Sequence, residues 1–85
     1  MFWVYAICSS QRNYIYVGMS SNIKDRIHRH NAGFERTTKP YKPFLLLYFE
    51  IWPTRPAARN REKFFKSGSG KEFLKNIRQQ KYPLL

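Results

Sequence analysis

The stretch Phe2-Trp3-Val4-Tyr5-Ala6-Ile7-Cys8, followed by Ser9-Ser10-Gln11-Arg12-Asn13 and then Tyr14-Ile15-Tyr16-Val17-Gly18, decides the fold of this chain. Two runs rich in β-branched and aromatic residues, separated by a short polar segment, read as an antiparallel hairpin. With the loop taken as Ser9 to Arg12, Tyr5 lies directly opposite Tyr16 and both rings share one face. A slip of one residue would send them to opposite faces.

Beyond the hairpin, Ser20-Ser21-Asn22 offers N-cap oxygens to a helix over Ile23 to Asn31, and Gly33 supplies its stop. At about 100° per residue, Ile23, Arg26, Ile27 and His30 fall on one face. Arg26 and His30 therefore share the apolar side, while Lys24, Asp25, His28 and Arg29 turn to solvent. Phe34 to Pro43 holds two prolines and no periodicity, and reads as a loop. The unbroken apolar run Phe44 to Trp52 predicts a central strand covered on both faces. Thr54 caps a second helix from Pro56 to Ser67, on which Ala58, Glu62 and Phe65 share a face and point a carboxylate inward. A break at Ser67-Gly68-Ser69-Gly70 precedes a last helix over Lys71 to Gln80 that packs Phe73, Leu74 and Ile77. The order β-β-α-β-α-α gives an α/β (α+β) architecture, a small three-stranded antiparallel sheet flanked by helices, with residues 1–85 as a single domain.

Sixteen Lys and Arg against five Asp and Glu leave a net charge of +11 on 85 residues, which makes a polyanion the natural partner and nucleic acid the first choice. The charge is spread over both halves of the chain, so no detachable basic tail explains it. Cys8 is the one cysteine, which excludes an intrachain disulfide and a cysteine zinc site. The start of the chain lacks a positive n-region and is too short in apolar residues for a signal peptide or a membrane span, so the expected setting is cytoplasmic, away from any membrane.

An inward Arg, an inward Glu and two facing tyrosines beside a His suit a site better than a core, because buried Arg and Glu are rare unless paired or functional. Each also has a plain reading. Tyr5 and Tyr16 serve as strand aromatics, His30 as a satisfied histidine, and Glu62 as the ion-pair partner of Arg26.

Together these residues resemble the GIY-YIG endonuclease superfamily, in the form of its small stand-alone bacterial members. The family's two tyrosine motifs, one on each strand of an opening hairpin, appear as Trp3-Val4-Tyr5 and Tyr16-Val17-Gly18. Its helix arginine appears as Arg26, its His-Asn-x-Gly as His30-Asn31-Ala32-Gly33, and its metal-binding glutamate as Glu62, followed by Lys66 and a Gly-Ser-Gly-Lys run. Trp3, Val4 and Val17 depart from the letters of the family name at positions that mainly pack.

The resemblance implies a metal-dependent endonuclease acting on DNA, in repair or recombination; because 85 residues leave no room for an extended sequence reader, branched or flapped structures are the expected targets. Tyr5 as phenolate would be the general base, once cations lower its pKa from about 10. Arg26 would fork the phosphate oxygens. Glu62 would hold one Mg²⁺ or Mn²⁺ on the leaving-group side, and Tyr16 and His30 would orient water or phosphate. No second inward carboxylate is expected, Glu50 being the nearest exception. Lys39, Lys42, Arg59, Lys66 and Lys71, with Arg61, Lys63 and Lys75, would contact phosphates without reading bases. The loop aromatics Phe34 and Tyr41 are expected to pack rather than stack on bases. The protein is expected to act as a monomer or weak homodimer. The competing reading is a non-catalytic module that binds DNA or structured RNA on the same scaffold.

Overall fold

The computed structural model describes residues 1–84. Strands β1 (Phe2–Ser9), β2 (Ile15–Ser20) and β3 (Phe44–Trp52) form one antiparallel sheet in the order β2-β1-β3, with helices α1 (Ile23–Ala32), α2 (Arg55–Lys66) and α3 (Gly68–Lys81) packed against it. The chain order is thus β-β-α-β-α-α.

The hairpin register is shifted by two residues from the one the sequence suggested. Tyr5 pairs with Gly18, and Tyr16 with Ile7. Ser9 is the cause. Its hydroxyl accepts from the N–H groups of Gln11 and Arg12, and its own N–H donates to the Tyr14 carbonyl, so Ser9 ends the strand and the turn moves outward. A shift by two keeps every side chain on its face, so Tyr5 and Tyr16 remain neighbours, now on the diagonal.

The central strand is β1, and β3 lies at the edge, opposite to the expectation from its apolar run. Val4 to Cys8 is buried without a break, whereas Leu45, Phe49 and Ile51 stay exposed. Helix α1, ten residues and about 15 Å long, covers only part of its face of the sheet. Its Ile23 and Ile27 pack over Tyr5, Ile7, Phe44 and Leu46. On the other face Val4, Ala6, Cys8, Val17 and Leu47 meet Ala58, Phe65 and Leu74 of α2 and α3. Full burial of a side chain such as Leu47 or Leu74 contributes roughly 1.5–3 kcal/mol. A bulge between Ala6 and Ile7 sets Tyr48 opposite Ala6 but Leu46 opposite Ile7.

The helix ends follow the cap residues. Asn22 accepts from the Asp25 N–H at the start of α1, Gly33 closes it in the left-handed region at φ 82°, and Thr54 accepts from the Ala57 N–H at the start of α2. Ser67 ends α2 and begins α3. A Cβ on Gly70 would collide with the backbone of Phe64 and Phe65, so this glycine is what lets α3 start against the end of α2. Within α3, Leu74 is buried and Ile77 partly so, Phe73 packs one side of its ring on Tyr48 and Phe65 and leaves the rest exposed, and Arg78 takes an inward place. The Arg78 guanidinium donates to the carbonyls of Ser9, Tyr14 and Tyr82, tying the last helix to the hairpin turn. The segment expected as a loop contains a 3₁₀ turn at Lys39–Tyr41, with Tyr41 stacked on Tyr14 at 3.9 Å and Phe34 exposed. Among the described residues no helix is long and apolar enough to cross a membrane.

Candidate active site

The pairing of Tyr5 with Gly18 builds the centre of the site. A side chain on residue 18 would stand 2.8 Å from the Tyr5 hydroxyl and 3.0 Å from the Tyr16 ring, so the two tyrosines occupy space that glycine leaves open. Tyr5 reaches the imidazole of His30, with Tyr5 Oη 3.0 Å from His30 Nε2. The Tyr16 ring lies 4.9 Å from that of His30.

His30 is fixed from behind. Its Nδ1 is 2.8 Å from Thr38 Oγ1, and the Thr38 hydroxyl lies within reach of the Glu35 carbonyl at 3.4 Å. A carbonyl can only accept, so Thr38 donates to Glu35 and accepts from His30 Nδ1–H. That leaves Nε2 unprotonated, facing the Tyr5 hydroxyl. Asn31 holds the end of the helix in place, its Oδ1 accepting from the Phe44 N–H at 2.6 Å and its Nδ2 donating to the Phe44 carbonyl.

Burial pushes the Tyr5 pKa up, and Tyr16, Glu35 and Glu62 push the same way, against a downward pull from Arg26. Tyr5 by itself is therefore a phenol at neutral pH. Burial also holds His30 below its ordinary value, with Glu35 opposing and Arg26 and Arg29 assisting. Phenol and neutral imidazole are the two states that this hydrogen bond requires.

Charged groups flank the pair. Arg26 is half-buried and bonds Glu35 at 2.9 Å, and the same carboxylate takes Arg29 at 3.3 Å. Glu62 is 7% exposed and takes Arg59 at 3.2 Å and Lys66 at 3.3 Å. The plain pairing of Glu62 with Arg26 is thus not made. Glu50 is spent elsewhere, on the α2 face of the sheet. It accepts from Arg61 twice, from Tyr48 and from Trp52, and these bonds, Arg61 first, lower its pKa to about 2.

Glu62 can be tested as a cation ligand on its donor chemistry. It offers one nearly buried, hard carboxylate whose present partners, Arg59 and Lys66, are both more than half exposed and can move aside. One carboxylate suits a Mg²⁺ that keeps most of its waters and takes further oxygens from a phosphate. Glu62 fits that role. Among the described residues no group of three or more His, Cys, Asp or Glu side chains is arranged around a common point.

Of the residues singled out in the sequence, Tyr5, Tyr16 and His30 are in contact, while Arg26 and Glu62 lie close enough to act on the Tyr5 charge. Arg59 and Lys66 stand at Glu62, whereas Lys39 and Lys42 lie across the C-terminus of α1 near Gly33. Lys71 lines a groove that borders Tyr16 and Lys66. Sequence reasoning missed Thr38 and Glu35, which reach His30 and Arg26 through the fold of the loop. No periodicity announces them.

A hydrogen-bonded tyrosine and histidine, an arginine and a nearly buried carboxylate on a strongly basic α+β scaffold are groups that can hold a phosphate ester and move a proton beside it. The model of the GIY-YIG catalytic domain matches residues 1–77, and the chain belongs to the GIY-YIG family. Similar proteins include a UPF0213 protein of Pediococcus acidilactici, 37% identical over 91% of this chain and 81% of that protein. A UPF0213 protein of Staphylococcus haemolyticus is 34% identical over 87% of this chain and 92% of its own length. One from Haloquadratum walsbyi is 36% identical over 76% and 73%. No solved structure gives a significant match.

Proposed function

We propose that this protein is an endonuclease that hydrolyses DNA phosphodiesters at the Tyr5 site with one divalent cation, choosing its target by structure. The observation that carries the reading is the chain of hydrogen bonds from Tyr5 Oη to His30 Nε2 and from His30 Nδ1 to Thr38. A phenol with a raised pKa is a poor base by itself. With its proton aimed at a neutral imidazole, it can pass that proton to Nε2 while its oxygen takes one from the attacking water. His30 ends as imidazolium, with Thr38 still accepting from Nδ1. Tyr16, beside both rings, orients the water. Arg26 forks the phosphoryl oxygens as negative charge builds on them. Mg²⁺ held by Glu62 would supply positive charge for the departing 3′ oxygen. A site this small holds one phosphate and has little surface left to read a sequence, which suits selection by strand structure and a role in repair or recombination.

The test is cleavage of duplex, nicked, flap and four-way DNAs with Mg²⁺ or Mn²⁺, with Glu62→Ala and Arg26→Ala as controls. Cleavage by the parent and a loss of at least a hundredfold in both variants is the expected result. No cleavage of any substrate, or equal cleavage by the variants, sinks the proposal. The binding-only reading predicts in addition that Mn²⁺ leaves the NMR signals around Glu62 unchanged.

A further inference from the structure

An open groove of about 460 Å³ begins at Tyr16 and Lys66 and runs between β2 and α3, with Lys71 and Lys75 on its wall. It continues past Asn13 and Ile15 into a second hollow of about 350 Å³ beside Gln79. Its floor is apolar, made by the half-buried Ile15 and the edges of the buried Val17, Phe65 and Leu74 behind it. Lys71 and Lys75 are one helical turn, about 6 Å, apart and make no ion pair among the described residues.

One wall of this groove is an unpaired sheet edge, because β2 has a neighbour only on the β1 side. Ser9 N–H bonds the Tyr14 carbonyl, and in an antiparallel pair such bonds recur at every second residue. Tyr16 therefore directs its backbone groups toward β1, while Ile15 and Val17 direct theirs outward, to the groove side of the strand. The groove thus combines an apolar floor, free backbone donors and acceptors, and two unpaired ammonium groups. Its volume lies in the range of small-ligand sites. A duplex is too broad to enter it, whereas an unstacked nucleotide can bury a base face on the floor, meet the strand edge with its polar groups and leave its phosphate to the lysines.

We propose that the groove between β2 and α3 is a subsite for one unpaired nucleotide adjoining the reacting phosphate, with Lys71 and Lys75 holding the backbone and the β2 edge meeting the base. This rests on the nuclease reading for its connection to Tyr16 and Lys66, but the binding it describes is measurable without cleavage. It makes an unpaired strand, alone or as a flap, the substrate class.

The experiment is fluorescence anisotropy of a labelled oligothymidylate and of a blunt DNA hairpin with equal phosphate count, titrated with the full chain in EDTA at several salt concentrations. The single strand is expected to bind at least tenfold more tightly. Lys71→Ala/Lys75→Ala should weaken single-strand binding roughly tenfold and flatten its log–log salt slope by about 1.4, the value for two lost phosphate contacts on a single strand. Lys24→Ala/Lys81→Ala, which removes the same charge outside the groove, should cost less than threefold. All four lysines are exposed, and an unchanged melting temperature confirms folding in both variants. Equal affinity for hairpin and single strand, or equal losses in the two double variants, overturns the subsite. If binding behaves as expected and no DNA is cut, the nuclease reading fails and the subsite stands. If Lys71→Ala/Lys75→Ala cuts and binds every DNA as the parent does, the reverse holds.

Discussion

Gly18→Ala is the sharpest probe of the site, because it adds one methyl group at the point where the two motif tyrosines meet. The added Cβ would lie 2.8 Å from Tyr5 Oη and 3.0 Å from Tyr5 Cζ and Tyr16 Cε2. Ordinary contact begins near 3.4 Å, so the Tyr5 ring must retreat by about 0.6 Å. Tyr5 is only 2% exposed, which leaves it no solvent to move into. The backbone is not at issue, since Gly33 is the one glycine with positive φ. Overpacking of this kind costs about 1–3 kcal/mol, and each kcal/mol lowers the melting temperature of so small a domain by about 4–8 °C. The larger effect falls on chemistry. The bond from Tyr5 to His30 starts at 3.0 Å and weakens as the ring shifts, and misplacing a reacting group by about 1 Å can cost a hundredfold in rate. The expected outcome is a folded protein with kcat reduced roughly thirtyfold to a hundredfold and KM little changed, measured in single-turnover cleavage, together with a shifted His30 Nε2 resonance in ¹⁵N NMR. A variant that folds and cuts within threefold of the parent would refute the argument that Gly18 makes room for the Tyr5 hydroxyl.

Three further outcomes follow from the same contacts. Thr38→Val keeps the shape but removes the acceptor for His30 Nδ1–H; it should cost about 1–2 kcal/mol of stability and at least tenfold in kcat, with the alkaline and acid limbs of the pH–rate profile displaced, whereas a merely structural threonine would leave that profile in place. Arg78→Met leaves the Ser9 and Tyr14 carbonyls without their guanidinium and should lower stability by about 2–4 kcal/mol in urea titration; a loss below 0.5 kcal/mol would show that water replaces it readily. Glu50 has a pKa lowered from 4.5 to about 2, so the unfolded chain takes up the proton first: the stability from this group is complete above about pH 5 and is lost as pH falls through 4.5 toward 2. Allowing for solvent screening this amounts to about 2 kcal/mol, and Glu50→Gln should flatten that part of the acid limb in denaturation measured at intervals from pH 6 to pH 2.5.

Local signals carried the hairpin, the caps and the inward residues of the helices. Asn22, Thr54 and Gly33 act where their side chains or their lack of one require, and Ala58, Glu62, Phe65 and His30 are all buried as helical spacing dictates. The errors share a cause in tertiary context. An apolar run such as Phe44 to Trp52 shows that a strand has few polar residues, but whether α1 extends over it depends on a helix length set elsewhere, and Phe49 and Ile51 are left bare. The hairpin register turned on one hydroxyl, Ser9, choosing its own turn. Arg78 reads as a surface cation until the Ser9 and Tyr14 carbonyls are known to lie in front of it. Thr38 and Glu35 were illegible for a related reason: their roles come from a loop that folds back on α1, and loops have no period to read.

The charge of the chain acquires a second meaning from its acidic residues. Of five Asp and Glu, Glu35 holds Arg26 and Arg29 together, and Glu62 holds Arg59 and Lys66. Four cations that would repel one another are thereby gathered on two carboxylates, both of which act on the Tyr5 charge. Such exposed pairs add little to stability, typically below about 1 kcal/mol each. Their value lies in geometry, because an arginine already held in place loses less freedom when it forks a phosphate. The remaining excess of positive charge, including Lys71 and Lys75 along the groove, acts at longer range, raising the local concentration of a polyanion and falling off with salt. On the proposed reading, attraction and alignment fall to different cations of the same chain, the unpaired ones drawing a strand in and Arg26, held by Glu35, receiving its phosphate.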